Sequence, residues 1–186
     1  MSTRRLPVVH GVTTRVDDPM DRRTVEELDL EFGNGERRRY FRVLAGGHGT
    51  VVVVPMLDAE TVLLVREYAA GTHRYELGLV KGRIDAGETA EQAGNRELME
   101  EAGFGARKVD VLRMISLAPT YMAHQTHLVL ARDLYEKRLP GDEPEELEVV
   151  PWRLDRLHEL ILRDDFSEGR SIAALFIVRE WLKEHA

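Results

Sequence analysis

Apolar residues come in short blocks along most of this chain, separated by polar or turn-forming stretches. GTVVVVPML (49–57) and ETVLLVREY (60–68) are rich in β-branched residues and predict two buried strands joined by a tight turn at Asp58-Ala59. TVEELDLEFGNGERRRYFRVL (24–44) reads as two strands around Asn34-Gly35, a favoured hairpin turn. VDVLRMISL (109–117) and THLVLARDL (126–134) predict two more strands, and YELGLVKG (75–82) a short strand or loop. Helical spacing runs through LDRLHELILRDD (154–165) and SIAALFIVREWLKEH (171–185), the latter with Arg179, Glu180 and Lys183 on its polar side. Strands and helices do not alternate strictly. The expected class is therefore α/β in the broad, α+β sense, a mixed β-sheet sandwiched between helices. Residues 1–47 would form an N-terminal β-hairpin extension at a dimer interface, and residues 48–186 the main domain.

One helix carries an unusual charge pattern. Thr89 and Gln92 have capping-box spacing, so a helix should begin near Ala90, and Gly103 is placed to stop it. On that helix Glu97, Glu100 and Glu101 are i, i+3 and i+4 neighbours within an arc of roughly 100°. Like charges at that spacing cost a few tenths of a kcal/mol per pair. Two of the acids also sit toward the end where the helix dipole disfavours them. Arg96 reaches Glu100 at i+4, but one cation cannot offset three acids. Ala90, Ala93 and Gly94 keep a neighbouring face small, which suggests room for something bulky, while Leu98 and Ala102 point elsewhere and can be buried. Residue types alone leave two readings open, a solvated acidic face or a site for a hard divalent cation.

Composition narrows the partners. The chain of 186 residues is 43% hydrophobic, as a folded domain should be, and carries a formal net charge of -7. That charge gives no support for nucleic-acid or anionic-membrane binding, and handling an anionic substrate would require a local cation. Cysteine is absent, which excludes disulfides and thiol chemistry and fits a reducing cytoplasm. No apolar run suits a signal peptide or a membrane span. His124 and His127 lie three apart, which on a strand puts them on opposite faces, so they are not expected to hold zinc.

The stretch GRIDAGETAEQAGNRELMEEAGF (82–104) decides between the two readings of the acids. Gly82, Glu88 and the run Arg96-Glu97-Leu98-Met99-Glu100-Glu101-Ala102-Gly103-Phe104 resemble the signature of the Nudix hydrolases at every defined position. The flanks VREYAAGTHRYELGLVKG, LAPTY, DLYEKRLPGDEPEE and SIAALFIVREWLK are similar to a bacterial branch of that family acting on ADP compounds. The resemblance implies the Nudix fold, Mg²⁺ (or Mn²⁺) as cofactor, a homodimer, and pyrophosphate hydrolysis of ADP-ribose, NADH or diadenosine polyphosphates to AMP. It implies metal ligation by Glu97, Glu100 and Glu101, with the Gly82 carbonyl and Glu88 as further contributors. Arg96 would orient Glu88 and Glu100. The general base is left among Glu100, Glu101 and a carboxylate of the loop 141–146, Glu145 being preferred. Arg66, Glu76, Tyr68 and Tyr121 are candidate substrate contacts. Ala69 stands where many ADP-ribose pyrophosphatases have arginine, which speaks against narrow ADP-ribose specialisation. Alternatives are a nucleoside triphosphate or RNA-cap pyrophosphohydrolase, and a non-catalytic domain sensing ADP-ribose or NAD. Retention of all four signature glutamates argues against the last.

Overall fold

The computed structural model describes residues 8–18 and 23–185. The chain divides into two compact units, one comprising the residues up to Gly49 with Ser116–Gln125, the other Thr50–Ile115 with Thr126–Ala186. The first unit is a three-stranded antiparallel sheet in the order β1 (Val8–Asp18), β2 (Arg23–Glu31), β3 (Arg37–Ala45). The β2–β3 connection turns where the Asn-Gly pair predicts, with Gly35 at φ 84° and Asn34 Oδ1 accepting from the Glu36 N–H. β1 has no counterpart in the sequence reading. Its valines are spaced without a clean alternation, and Val8, Val9 and Val12 are half-exposed rather than buried.

The second unit holds the acids. Its four-stranded sheet runs β7 (Val80–Arg83), β4 (Thr50–Pro55), β9 (Gln125–Glu136), β8 (Phe104–Ser116), with β4 parallel to β9 and antiparallel to β7. A second sheet orders β10 (Glu148–Arg153), β5 (Thr61–Ala69), β6 (Arg74–Gly78). β4 explains the unbroken valine run, because it is apolar on both faces. Val52 and Val54 join one core cluster with Leu128, Leu130, Ala174, Leu175 and Val178, and Val51 and Val53 join another with Val129, Ala93, Leu98 and Ala102. The first cluster is closed by α3 (Gly169–Glu184) and the second by α1 (Ala90–Glu97), so the mixed sheet lies between helices as expected.

Two elements depart from the sequence reading. β10 was not anticipated, since Pro151 sits in its middle; it is tolerated because β10 is an edge strand paired only with β5. The helical stretch expected over 154–165 is only a 3₁₀ turn (Leu154–Arg156) followed by α2 (Leu157–Leu160). Leu154, Leu157 and Leu160 are buried and produce the periodicity, but Leu162 is 82% exposed and the chain has already left the helix there. Among the described residues no helix is long and apolar enough to cross a membrane.

Candidate active site

The acids are placed by a helix that changes its winding. Thr89 caps α1 with the full reciprocal box: its hydroxyl accepts from Gln92 N, and the Gln92 side chain accepts from Thr89 N at 2.9 Å. After Glu97 the backbone does not continue as α-helix. It opens into a single π-helical turn, Leu98–Ala102, ended by Gly103 at φ 75°. A π turn adds a residue per turn, which rotates the side chains after it relative to an ideal helix. Leu98, Met99 and Ala102 are buried as its floor, Glu101 is drawn inward with them, and Glu100 stays at the rim.

The small face beside the acids has a different purpose from the one expected. Ala93 is fully buried, and a Cβ on Gly94 would stand 3.1 Å from a Val129 methyl. These residues are small so that α1 can approach β9, and they make no room for a ligand. The close approach that concerns the acids is at Gly82, where a Cβ would fall 1.8 Å from the Glu97 carboxyl carbon. Only glycine leaves the space that the Glu97 carboxylate occupies.

Arg96 binds the cluster together. Its Nε and Nη2 donate to the two oxygens of Glu88 at 2.9 and 3.0 Å, a bidentate fork, and Nη2 also reaches the Arg83 carbonyl at 2.9 Å. Nη1 donates to Glu97 Oε1 at 2.8 Å and to Glu100 Oε2 at 2.9 Å. The guanidinium holds the Glu88 carboxyl below the usual carboxylate range, and Glu88 in turn accepts from Asp85 N. Arg96 does not neutralise the rest. Burial pushes Glu97 up to about 7 despite the arginine, and burial pushes Glu101 up to about 9 against the opposing pull of Lys81. Glu101 Oε1 accepts only a long bond from Lys81 N, 3.3 Å, and Oε2 is buried with no partner. Leaving a buried carboxylate oxygen unsatisfied costs on the order of 1–3 kcal/mol or more.

This donor set fits a hard divalent cation in chemistry: several carboxylates, one with an orphaned buried oxygen, packed against Gly82. Among the described residues no three acidic or imidazole groups already converge as a closed set of ligands. Arg96 occupies one oxygen each of Glu97 and Glu100.

The other anticipated residues are distributed unevenly. Glu145 accepts from the Tyr75 hydroxyl at 2.5 Å and is thereby turned to β6. Its neighbour Glu143, which the sequence reading did not single out, folds over Gly141 near Glu100 Cβ and bears electrostatically on Glu97. Arg66 is engaged by Glu148 at 2.7 Å and Asp165 at 2.8 Å, and Arg163 forks onto both oxygens of Asp165. Arg66 therefore ties β5 to β10 and to the loop before α3. Glu76 accepts from Arg74 at 2.7 Å and from the Ser167 hydroxyl. Tyr68 is 43% exposed, with its hydroxyl bonded to His73 and its ring edge-on to Tyr75, so it is not a core residue. Tyr121, 55% exposed, lies in the first unit on the segment paired with Val43. Glu67, Tyr68, Ala69, Thr72, Glu76 and Lys81 line a cleft of about 440 Å³ together with Ser167, Glu168 and Arg170. Lys81 was also missed; its signal was a cation between the buried Leu79-Val80 pair and Gly82.

Comparison with known proteins agrees with this geometry. Residues 47–175 match the NUDIX domain, and residues 7–42 match the NudE-type Nudix hydrolase N-terminal domain. The chain is 49% identical over 160 residues to ADP compounds hydrolase NudE of Escherichia coli (strain K12), covering 86% of each chain. It is 25% identical over 153 residues to the ADP-ribose pyrophosphatase of Bacillus subtilis (strain 168), covering 81% of this chain and 80% of the relative. A crystal structure of an ADP compounds hydrolase superposes with a TM-score of 0.88 at 44% identity, covering 100% of this chain and 99% of that one. Nudix hydrolases generally need a divalent metal, as the donor chemistry around Glu101 would suggest. With the signature helix, the sandwich that carries it and both family segments in agreement, the chain belongs to the Nudix hydrolase family.

Proposed function

We propose that the protein hydrolyses the pyrophosphate bond of ADP compounds, releasing AMP and the phosphorylated remainder, with Mg²⁺ or Mn²⁺ as its ion. The observation that carries this reading is the frame of Glu88, Glu97 and Glu100 around Arg96, beside Glu101 with its unpartnered buried oxygen. The 49% identity to an ADP compounds hydrolase supports the substrate class. Glu97, Glu100 and Glu101 would hold the ion, with the Gly82 carbonyl beside them. Bound there, a divalent cation offsets the charge of the pyrophosphate and of the leaving phosphate.

The chain's own groups do the rest. Arg96 fixes the carboxylates through fork geometry that lysine could not reproduce. Glu88 has both oxygens in that fork and a backbone bond besides, so it orients Arg96 rather than ligating. For the general base the geometry favours Glu143 over Glu145, because Glu145 is held by Tyr75 while Glu143 lies near Glu97 and Glu100. Glu143 would take the proton of the attacking water from the loop side. Tyr68 offers an exposed ring to a base, and Glu76 an acceptor to a ribose hydroxyl. Arg66 is the weakest substrate candidate because both its acidic partners are intramolecular.

A homodimer is proposed for the assembly, supported by the row Val12–Leu28–Tyr40 across the three strands of the first unit, where Val12 and Tyr40 are 50% and 42% exposed. The cytoplasm is the proposed location, since a chain without cysteine gains nothing from an oxidising compartment. The test is incubation with Mg²⁺ or Mn²⁺ and, separately, ADP-ribose, NADH, diadenosine triphosphate, dGTP and capped RNA, with products quantified. AMP from the ADP compounds is expected. Turnover of dGTP alone would contradict the substrate class, and no turnover of any would contradict the enzyme reading.

A further inference from the structure

We infer that Lys81 is a substrate-binding residue, its ammonium taking a non-bridging oxygen of the substrate's diphosphate where the cleft meets the acids. The inference rests on the ADP-compound reading above. Lys81 lies on β7, and its backbone N–H donates to Glu101 Oε1 while its side chain lines the cleft with Glu67, Tyr68 and Glu76. A molecule reaching from the cleft to Glu101 therefore has to pass this residue.

The cleft is also lined by Arg170, but that cation is engaged, held by Glu168 at 2.7 Å. Arg74, which does not line the cleft, is paired with Glu76 at 2.7 Å. The ammonium of Lys81 donates to the Leu79 carbonyl at 2.8 Å, and its ion pair with Glu67 is long, 3.7 Å. An ammonium has three donors and this arrangement does not exhaust them. Its place is also kept open: a Cβ on Gly78 would stand 3.3 Å from Nζ. On a wall that also carries Glu67 and Glu76, which repel phosphate, the Lys81 ammonium is the point where the negatively charged part of an incoming nucleotide meets an opposite charge. The side chain is 20% exposed, so a hydrogen bond to phosphate there would be only partly screened.

The bland alternative is that Lys81 merely balances Glu67 and Glu101, and the experiment separates the two. Lys81→Gln and Lys81→Arg are compared with the unmodified protein for ADP-ribose hydrolysis, for competitive inhibition by ADP, and for Mn²⁺ binding to the nucleotide-free protein. Loss of one charge-assisted contact predicts that Lys81→Gln raises KM and the ADP inhibition constant about 10- to 100-fold. Mn²⁺ affinity should stay within about 3-fold, and Lys81→Arg should recover most of the nucleotide affinity. Unchanged KM and ADP inhibition would overturn the inference, as would weakened Mn²⁺ binding with nucleotide affinity intact. Should Lys81→Gln fold poorly, Lys81→Arg decides: its charge persists, so ADP inhibition weakened as much as Mn²⁺ binding also overturns it. Absence of ADP-ribose turnover in the unmodified protein would instead refute the functional reading on which the inference rests.

Discussion

Glu101 concentrates the unfavourable electrostatics of the site in one side chain. Its folded carboxyl titrates near 9 against an ordinary 4.5, so the folded state binds more protons than the unfolded one. Stability without metal must then fall as pH rises from about 4.5 toward 9. Glu97, raised to about 7, adds to the fall in the lower part of that range. The acids held low by arginines act only below about 4.5 and cannot mask it. Thermal melts in chelator across that range should show the decline, and Glu101→Gln should flatten it. At pH 8 the same variant should be more stable than the unmodified protein by about 1–3 kcal/mol, the range for relieving a buried unsatisfied polar group. It should also lose the rise in melting temperature on adding Mn²⁺, and most activity. In the loop, Glu143→Gln should lower kcat by about 100-fold or more, whereas Glu145→Gln should change it less than 10-fold; kinetics at saturating substrate decide between them.

At the scale of elements, the site depends on how β7, α1 and the π turn meet. Gly82→Ala would drive a methyl into the Glu97 carboxylate. The far end of a flexible side chain can move, so the melting temperature should change little while Mn²⁺ affinity drops at least about 10-fold, measurable by calorimetry. Arg96→Gln should do the reverse on stability. It strands three carboxylates around an uncharged side chain and should cost about 2 kcal/mol, below the 3–5 kcal/mol of a fully buried pair because Arg96 is 24% exposed. The sequence discloses much of this arrangement: the capping box, the Gly103 stop and the Arg96–Glu100 pair can all be read from spacing. The π turn cannot, because nothing in residues 98–102 distinguishes it from another α-helical turn; what accompanies it is the burial of Leu98, Met99 and Ala102, seen only in the folded chain. The small residues Ala93 and Gly94 misled for a related reason, since a small face admits a ligand or a neighbouring strand equally well until Val129 is seen against it.

Across the whole molecule, local pattern identified strands better than it identified their pairing. β4 and β9 are visible as apolar runs, yet their parallel pairing joins Thr50 to Thr126 and is specified only by burying both faces of β4. β1 and β10 escaped because one is half-exposed and the other contains proline. The site residues supplied by signature spacing were legible, while Glu143 comes from a segment distant in sequence, and Tyr75 and Lys81 precede the signature without belonging to it. One feature of the site extends beyond catalysis. On the proposed reading, the unpartnered Glu101 oxygen makes the protein less stable whenever its ion is lacking, and ligation removes that cost. Marginally stable chains are the ones cleared by cellular proteases. The abundance of this protein should therefore follow the supply of divalent ions, so that a cell starved of them holds less of the enzyme as well as a less active one.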